Sequence, residues 1–333
     1  MKKRILIASI MTSLLLLVAI LIAMSWGSYT ISFPNILQTL IGNGNKLQSM
    51  TIWDIRLPRI FVALVVALCL STSGCVLQGV TRNELAEPGI IGINAGAGLA
   101  VVLLINYGGT NYYSQIGDLS LFLMPFVAII GALLSAIIIY RLSYKRGISP
   151  TRLILVGIGV NAGINAIITL YQLNMSKGDY NQVLTWISGS LWGSSWKFFY
   201  VIAPLAIIFL GLVFWKAKTL DVLDLGDEIA TGLGVKVEKE RRILMFYGVA
   251  LAAIATAVAG NITFLGLLGP HIAKKIVGPV HRRQIPLAAM ISCIIILIAD
   301  TFSRNIFSPI EIPAGITIAI VGVPYFVYLM MRE

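Results

Sequence analysis

Apolar runs alternate with short polar breaks along the whole chain. Ten runs stand out, near 5–25, 57–81, 91–106, 119–140, 152–173, 198–215, 243–261, 264–275, 285–303 and 312–331. A helix that crosses the hydrocarbon core needs about 20 mostly apolar residues. Most of the runs approach that length, but 264–275 is too short to cross alone. The pattern predicts an all-α fold, a polytopic transmembrane bundle of about ten spans forming a single domain over 1–333. Two breaks, Asn83 to Gly92 and Gly266 to Gly278, carry glycine and proline at membrane depth. Irregular backbone there must be buried in protein or line a water-filled cavity.

Composition supports membrane insertion. Hydrophobic residues make up 58% of the 333 positions and charged residues 12%, against about 25% charged in soluble domains. The first run begins Met1-Lys2-Lys3-Arg4 and is followed by Ser25-Trp26-Gly27 with no Ala-x-Ala site. It reads as a retained helix, not as a cleaved signal peptide. The net charge of +11 fits basic cytoplasmic loops and does not call for nucleic acid. With the N-terminus inside, 19 of the 25 lysines and arginines fall on the inner side and six on the outer. That bias places both termini in the cytoplasm. Cys69, Cys75 and Cys293 lie within apolar runs and lack disulfide or metal-ligand spacing, so they read as packing residues.

Candidate chemistry is sparse. No GxxxxGK[ST] loop, HExxH or GxSxG motif occurs, so ATP binding and covalent catalysis are not expected of this chain. No metal site and no cofactor are expected either. His271 and His281 read as satisfied polar residues near a membrane interface. Glycine-rich stretches such as Gly92 to Gly98 suit close helix packing in lipid. The longest interior polar loop, 216–242, reads as two short helices. Asp227 and Glu228 suit a helix start, and Gly232 or Gly234 suits a stop. Leu223, Leu225, Ile229 and Leu233 give it an apolar face, while Asp221, Asp224, Asp227 and Glu228 make it acidic. A helix lying on anionic lipid should be basic, so a protein partner is the better inference. On the outer side, Arg56, Arg59 and Arg304 admit two readings. They form a basic rim for an acidic partner, or Arg304 pairs with Asp300 one turn away while Arg56 and Arg59 snorkel.

The stretch Gly74 to Gly92 (GCVLQGVTRNELAEPGIIG) resembles a signature of the permeases that import iron-siderophores, haem and vitamin B12. So do Arg56-Leu57-Pro58-Arg59, Leu225-Gly226, Ile262 to Lys274 (ITFLGLLGPHIAK), Ala299-Asp300 and Glu311 to Gly315 (EIPAG). The motifs run in order over nearly the whole chain. One departure is Glu84, where the family pattern usually has proline. The resemblance implies a ten-helix permease that pairs with a second permease as a homo- or heterodimer, with the pathway at their interface. Two cytoplasmic ATPase subunits would bind ATP and drive it, and an extracytoplasmic binding protein would deliver the iron-siderophore ligand. The implied setting is the bacterial plasma (inner) membrane. The implied ATPase-coupling residues are Asp221, Leu223, Leu225, Gly226, Asp227, Glu228, Ala230, Leu233 and Gly234. Arg56, Arg59 and Arg304 would receive carboxylates of the binding protein. Gln78, Asn83, Glu84, Leu85, Pro88, Gly92, Gly269, Pro270 and His271 are the candidates for the pathway. Vitamin B12 or haem fits the same resemblance. An ion-coupled secondary transporter is the rival from another class, but it needs ionisable groups near the midplane. Beyond Asp300 the spans offer almost none.

Overall fold

The computed structural model describes residues 2–116, 118–145, 150–308 and 310–331, and the side chains of these except Lys2, Ile90, 108–122 and Pro150. Arg146 and Arg332, two of the basic residues assigned to the inner side, lie outside the described residues. The described chain is helical. Helix α1 is Lys2–Ser25, α2 Phe33–Leu40 and α3 Lys46–Ser49. A π-helical turn, Met50–Arg56, carries α3 directly into α4, Leu57–Thr81. Then follow α5 Pro88–Ile91, α6 Ile93–Ile116, α7 Asp118–Ser143, α8 Pro150–Gln172, α9 Lys177–Ile187 and α10 Trp196–Trp215. The remainder are α11 Ala217–Asp224, α12 Asp227–Gly232, α13 Val237–Ala259, α14 Leu265–Val277, α15 His281–Asn305 and α16 Ala314–Met330.

Seven described helices are long and apolar enough to cross a membrane: α1, the continuous α3–α4 unit, α7, α8, α10, α13 and α15. Helices α6 and α16 carry shorter apolar stretches, Ile93–Tyr107 and Ala314–Met330. Helix α14 has 13 residues, about 20 Å at 1.5 Å per residue, and falls short of a hydrocarbon core of about 30 Å.

Side-chain size sorts the helices into an inner and an outer set. The apolar window of α4 is 83% buried and that of α13 72%, whereas that of α1 is 11%. The buried faces of α4 and α13 are built largely of Ala, Gly, Ser, Thr, Cys and Val, which lets backbones approach closely. The outer helices α1, α7, α8 and α10 expose large apolar side chains such as Leu14, Ile137, Leu170 and Ile207. Helix α4 is the hub and packs on α10, α13, α14 and α15.

Two irregular breaks meet inside this core, the first where the sequence places it. Arg82 closes α4 in the left-handed region (φ 50°), Pro88 opens α5, and Gly92 (φ 94°) ends it. The second expected break is corrected: Gly266 to Val277 is helical, within α14, and the irregular backbone lies just before it, at Gly260 to Phe264, where Phe264 is also left-handed (φ 65°). Glu87, almost fully buried, accepts the Phe264 N–H. Asn94 donates to Asn261 at 2.8 Å and accepts from Thr256 at 3.0 Å. Protein groups therefore replace the absent water, as irregular backbone in a membrane requires.

Candidate functional site

Three groups of polar residues occupy this bundle: one at the end that carries α11 and α12, one in the interior, and one at the opposite end.

At the first end, the 216–242 loop folds into α11 and α12. Helix α12 begins at Asp227, and Gly234 beyond its end is left-handed (φ 82°). Leu223 and Ala230 pack inward, whereas Leu225, Ile229 and Leu233 are more than half exposed. These three apolar side chains, close in sequence to Asp224 and Glu228, are left uncovered by the described residues. The acidic residues also tie the loop to the bundle. The Asp227 carboxylate accepts from Arg241 of α13 at 2.7 Å and from Arg82 at the end of α4. Asp221 accepts from the His281 backbone N–H at 2.8 Å and contacts its Nδ1 at 2.7 Å, at the start of α15. Lys216 binds Glu240 at 2.7 Å. Asp227 therefore links α12 both to the turn after α4 and to α13.

That turn holds the first pathway candidates. Asn83 Oδ1 accepts the Leu85 N–H at 2.8 Å, a local side-chain turn. Glu84 binds Lys274 of α14 at 2.7 Å and lies 3.3 Å from His271 Nδ1. Burial pushes the Glu84 carboxyl up, but the Lys274 hydrogen bond and charge outweigh it. With help from His271 and Lys275, they hold it below the usual carboxylate range. The pair's contribution is thus present above that range and is lost as pH falls through the depressed pKa. Gln78, Asn83 and Glu84 line a polar cavity of about 100 Å³ with Arg82, Asp224, Lys274, His281 and Gln284.

The other pathway candidates sit in packed surroundings within this chain. Leu85 is half-buried, and Pro88 and Gly92 shape α5. Gly269 faces Ser292 and Ala288 of α15, and the Pro270 carbonyl accepts from Gln284 at 3.2 Å. A larger cavity of about 350 Å³, between α7, α10 and α13, is lined entirely by apolar residues including Phe126, Ile129, Phe198 and Ile254. Its lining suits a lipid chain and offers nothing to hold a polar cargo.

At the opposite end, the three arginines are buried and do not project. Arg59 grips Asp300 with Nε and Nη2, at 3.0 and 2.8 Å, and reaches Glu311 with Nη1 at 2.9 Å. Arg304 makes only a longer contact with Asp300, 3.5 Å, and donates to the Ala23 carbonyl at 3.3 Å. Arg56 donates to the carbonyls of Met24 and Tyr29. Snorkelling of Arg56 and Arg59 is therefore corrected: buried partners draw both guanidiniums inward. The Asp300–Arg304 pairing is present but secondary to Arg59. Arg59 and Arg304 share two carboxylates, Asp300 and Glu311, and Arg56 stands near Arg304 on backbone carbonyls, which leaves an excess positive charge.

Several of these partners escape sequence reasoning. Arg59 and Asp300 are 241 positions apart, and Glu84 and Lys274 are 190 apart. The available signal was charge imbalance: an acidic loop needs cations, and Arg82 caps the end of α4 while Arg241 lies near the start of α13.

Comparison with known proteins follows this geometry. The chain is 46% identical over 330 residues to the iron(3+)-hydroxamate import system permease protein of Bacillus subtilis (strain 168), covering 98% of this chain and 97% of that one. It is 38% identical over 332 residues to the Fe(3+)-citrate import system permease protein of the same strain, covering 100% of this chain and 97% of that one. Among solved structures, one described as an inward-facing metal-chelate-type ABC transporter superposes with a TM-score of 0.84 at 28% identity. That match covers 97% of this chain and 98% of the other. The model of the FecCD transport family matches residues 15–332, and the chain belongs to that family.

Proposed function

We propose that this chain is the membrane permease of an ATP-binding-cassette importer that carries iron(III)-siderophore complexes, with a ferric hydroxamate as the favoured cargo. The substrate rests on what the 46%-identical relative imports. In this reading the chain makes ten spans in the bacterial plasma membrane, with α14 reaching only part-way. Both termini and the α11–α12 end face the cytoplasm, as the distribution of basic residues argues. A second permease completes the pathway, two ATPase subunits bind below, and a binding protein docks above.

The observation that carries the mechanism is the construction of α11 and α12. Leu225, Ile229 and Leu233 point away from the bundle, while Asp221 and Asp227 grip the ends of α4, α13 and α15. Such a unit transmits a push without chemistry. ATP closes the ATPase pair, α12 shifts, and Arg82 conveys the shift to the break after α4. Above, the excess charge on Arg56, Arg59 and Arg304 attracts carboxylates of the binding protein as a field; docking needs no projecting side chain.

Ile229→Glu tests the coupling surface. Buried apolar anchors dominate interfaces and cost about 2 kcal/mol or more when lost, roughly a 30-fold weakening. The variant is expected to lose its ATPase subunit on copurification while its melting temperature stays unchanged, because Ile229 is 54% exposed. Full retention of the ATPase would show that the patch meets no such partner.

A further inference from the structure

Glu84 lies in the turn after α4 and makes a charged contact across to α14. Its carboxylate binds Lys274 and faces His271, which lie one turn apart on α14. Two residues earlier, Arg82 binds Asp227 of α12. The 83–87 turn is therefore held from two directions: by α12 through Arg82, and by α14 through Glu84. These groups wall the polar cavity of about 100 Å³, which is small against the roughly 300–1,000 Å³ of sites that take drug-sized ligands. Behind the turn, Gln78 is buried and donates to the Gly266 carbonyl at 3.4 Å.

We propose that Glu84, with Lys274 and His271, is a latch that holds the turn after α4 against α14 until α12 moves. This rests on the importer reading, in which α12 takes the push of the ATPase. Half-exposed ion pairs contribute modestly, so the latch sets how often the turn lifts and does not lock it. Pulling Arg82 toward α12 would separate Glu84 from Lys274, and the lifted turn would open the inner end of α4 and α14 to water.

The test is the rate at which a membrane-impermeant charged maleimide labels Gln78→Cys in inside-out vesicles containing the permease with its ATPase subunits. Cys69, Cys75 and Cys293 are buried, and vesicles without the added cysteine set the background. Glu84→Gln and Lys274→Gln are each expected to speed labelling about fivefold. The double variant should add nothing further, and the charge exchange Glu84→Lys/Lys274→Glu should restore slow labelling. Leu85→Cys, on the turn itself, serves as a second reporter should Gln78→Cys fail to fold. Unchanged rates, additive effects or no rescue by exchange would overturn the latch. Uptake is not the readout, so loss of ATP-driven import by the unmodified complex would count against the importer reading instead.

Discussion

Gly74→Val is expected to abolish folded permease. Helix α4 meets the start of α14 at this glycine, and a Cβ there would stand 1.8 Å from the Gly266 carbonyl oxygen and 2.7 Å from its carbon. The obstacle is backbone, so no rotamer change relieves it. Forcing extra atoms into a packed core costs about 1–3 kcal/mol, occasionally more, and an overlap with main chain that cannot move aside exceeds that range. The opposing term, the gain from removing glycine within a helix, is at most about 1 kcal/mol. Overlap wins. Gly159 of α8 is the internal control, because a Cβ there meets nothing within 4 Å. Gly159→Ala should leave the melting temperature of the purified permease unchanged or slightly raised. Gly74→Val should leave little monodisperse protein after detergent extraction. Equal yields of the two variants would contradict the packing described here.

Asp300→Ala is expected to have the second-largest effect. The carboxylate is buried and answers both Arg59 and Arg304. Without it, Arg59 and Arg304 are left with Glu311 alone, and Glu311 is partly hydrated. Breaking a buried pair by removing one partner costs about 3–5 kcal/mol, a large part of the 5–15 kcal/mol that holds a typical protein together. Replacing both members by apolar groups leaves no orphaned charge between them. Arg59→Met/Asp300→Leu should therefore melt higher than Asp300→Ala. A double variant that melts no higher would show that the cluster is not held by the Arg59–Asp300 pair.

Much of the bundle was legible because its long apolar runs admit one interpretation. Helices α1, α4, α13 and α15 fall where those runs predict them. The short α14 was visible as a run that could not span. Of the two helices read in the 216–242 loop, α12 was legible from Asp227 as a start and Gly232 or Gly234 as a stop. Helices α2, α3 and α9 were not read. Each is short, and short helices draw stability from packing more than from propensity. Helix α9 did carry a local mark, Ser176 accepting the Asp179 N–H. The long-range ion pairs were invisible for another reason: a single sequence does not say which of many distant charges will meet. That is why Arg59 could be read as an outward-facing side chain, although Asp300 and Glu311 hold it inside. Glu84 was noticed as a departure from a pattern, but its meaning required Lys274.

The central claim is that this chain conducts an iron chelate only when an ATPase drives it. Proteoliposomes containing the permease pair, its ATPase subunits and the binding protein should accumulate radiolabelled ferric hydroxamate when ATP is present on the ATPase side. Accumulation should stop when a non-hydrolysable analogue replaces ATP, and should persist when a protonophore collapses the proton gradient. Uptake that continues without hydrolysis and fails with the protonophore would contradict the account and point to an ion-coupled carrier.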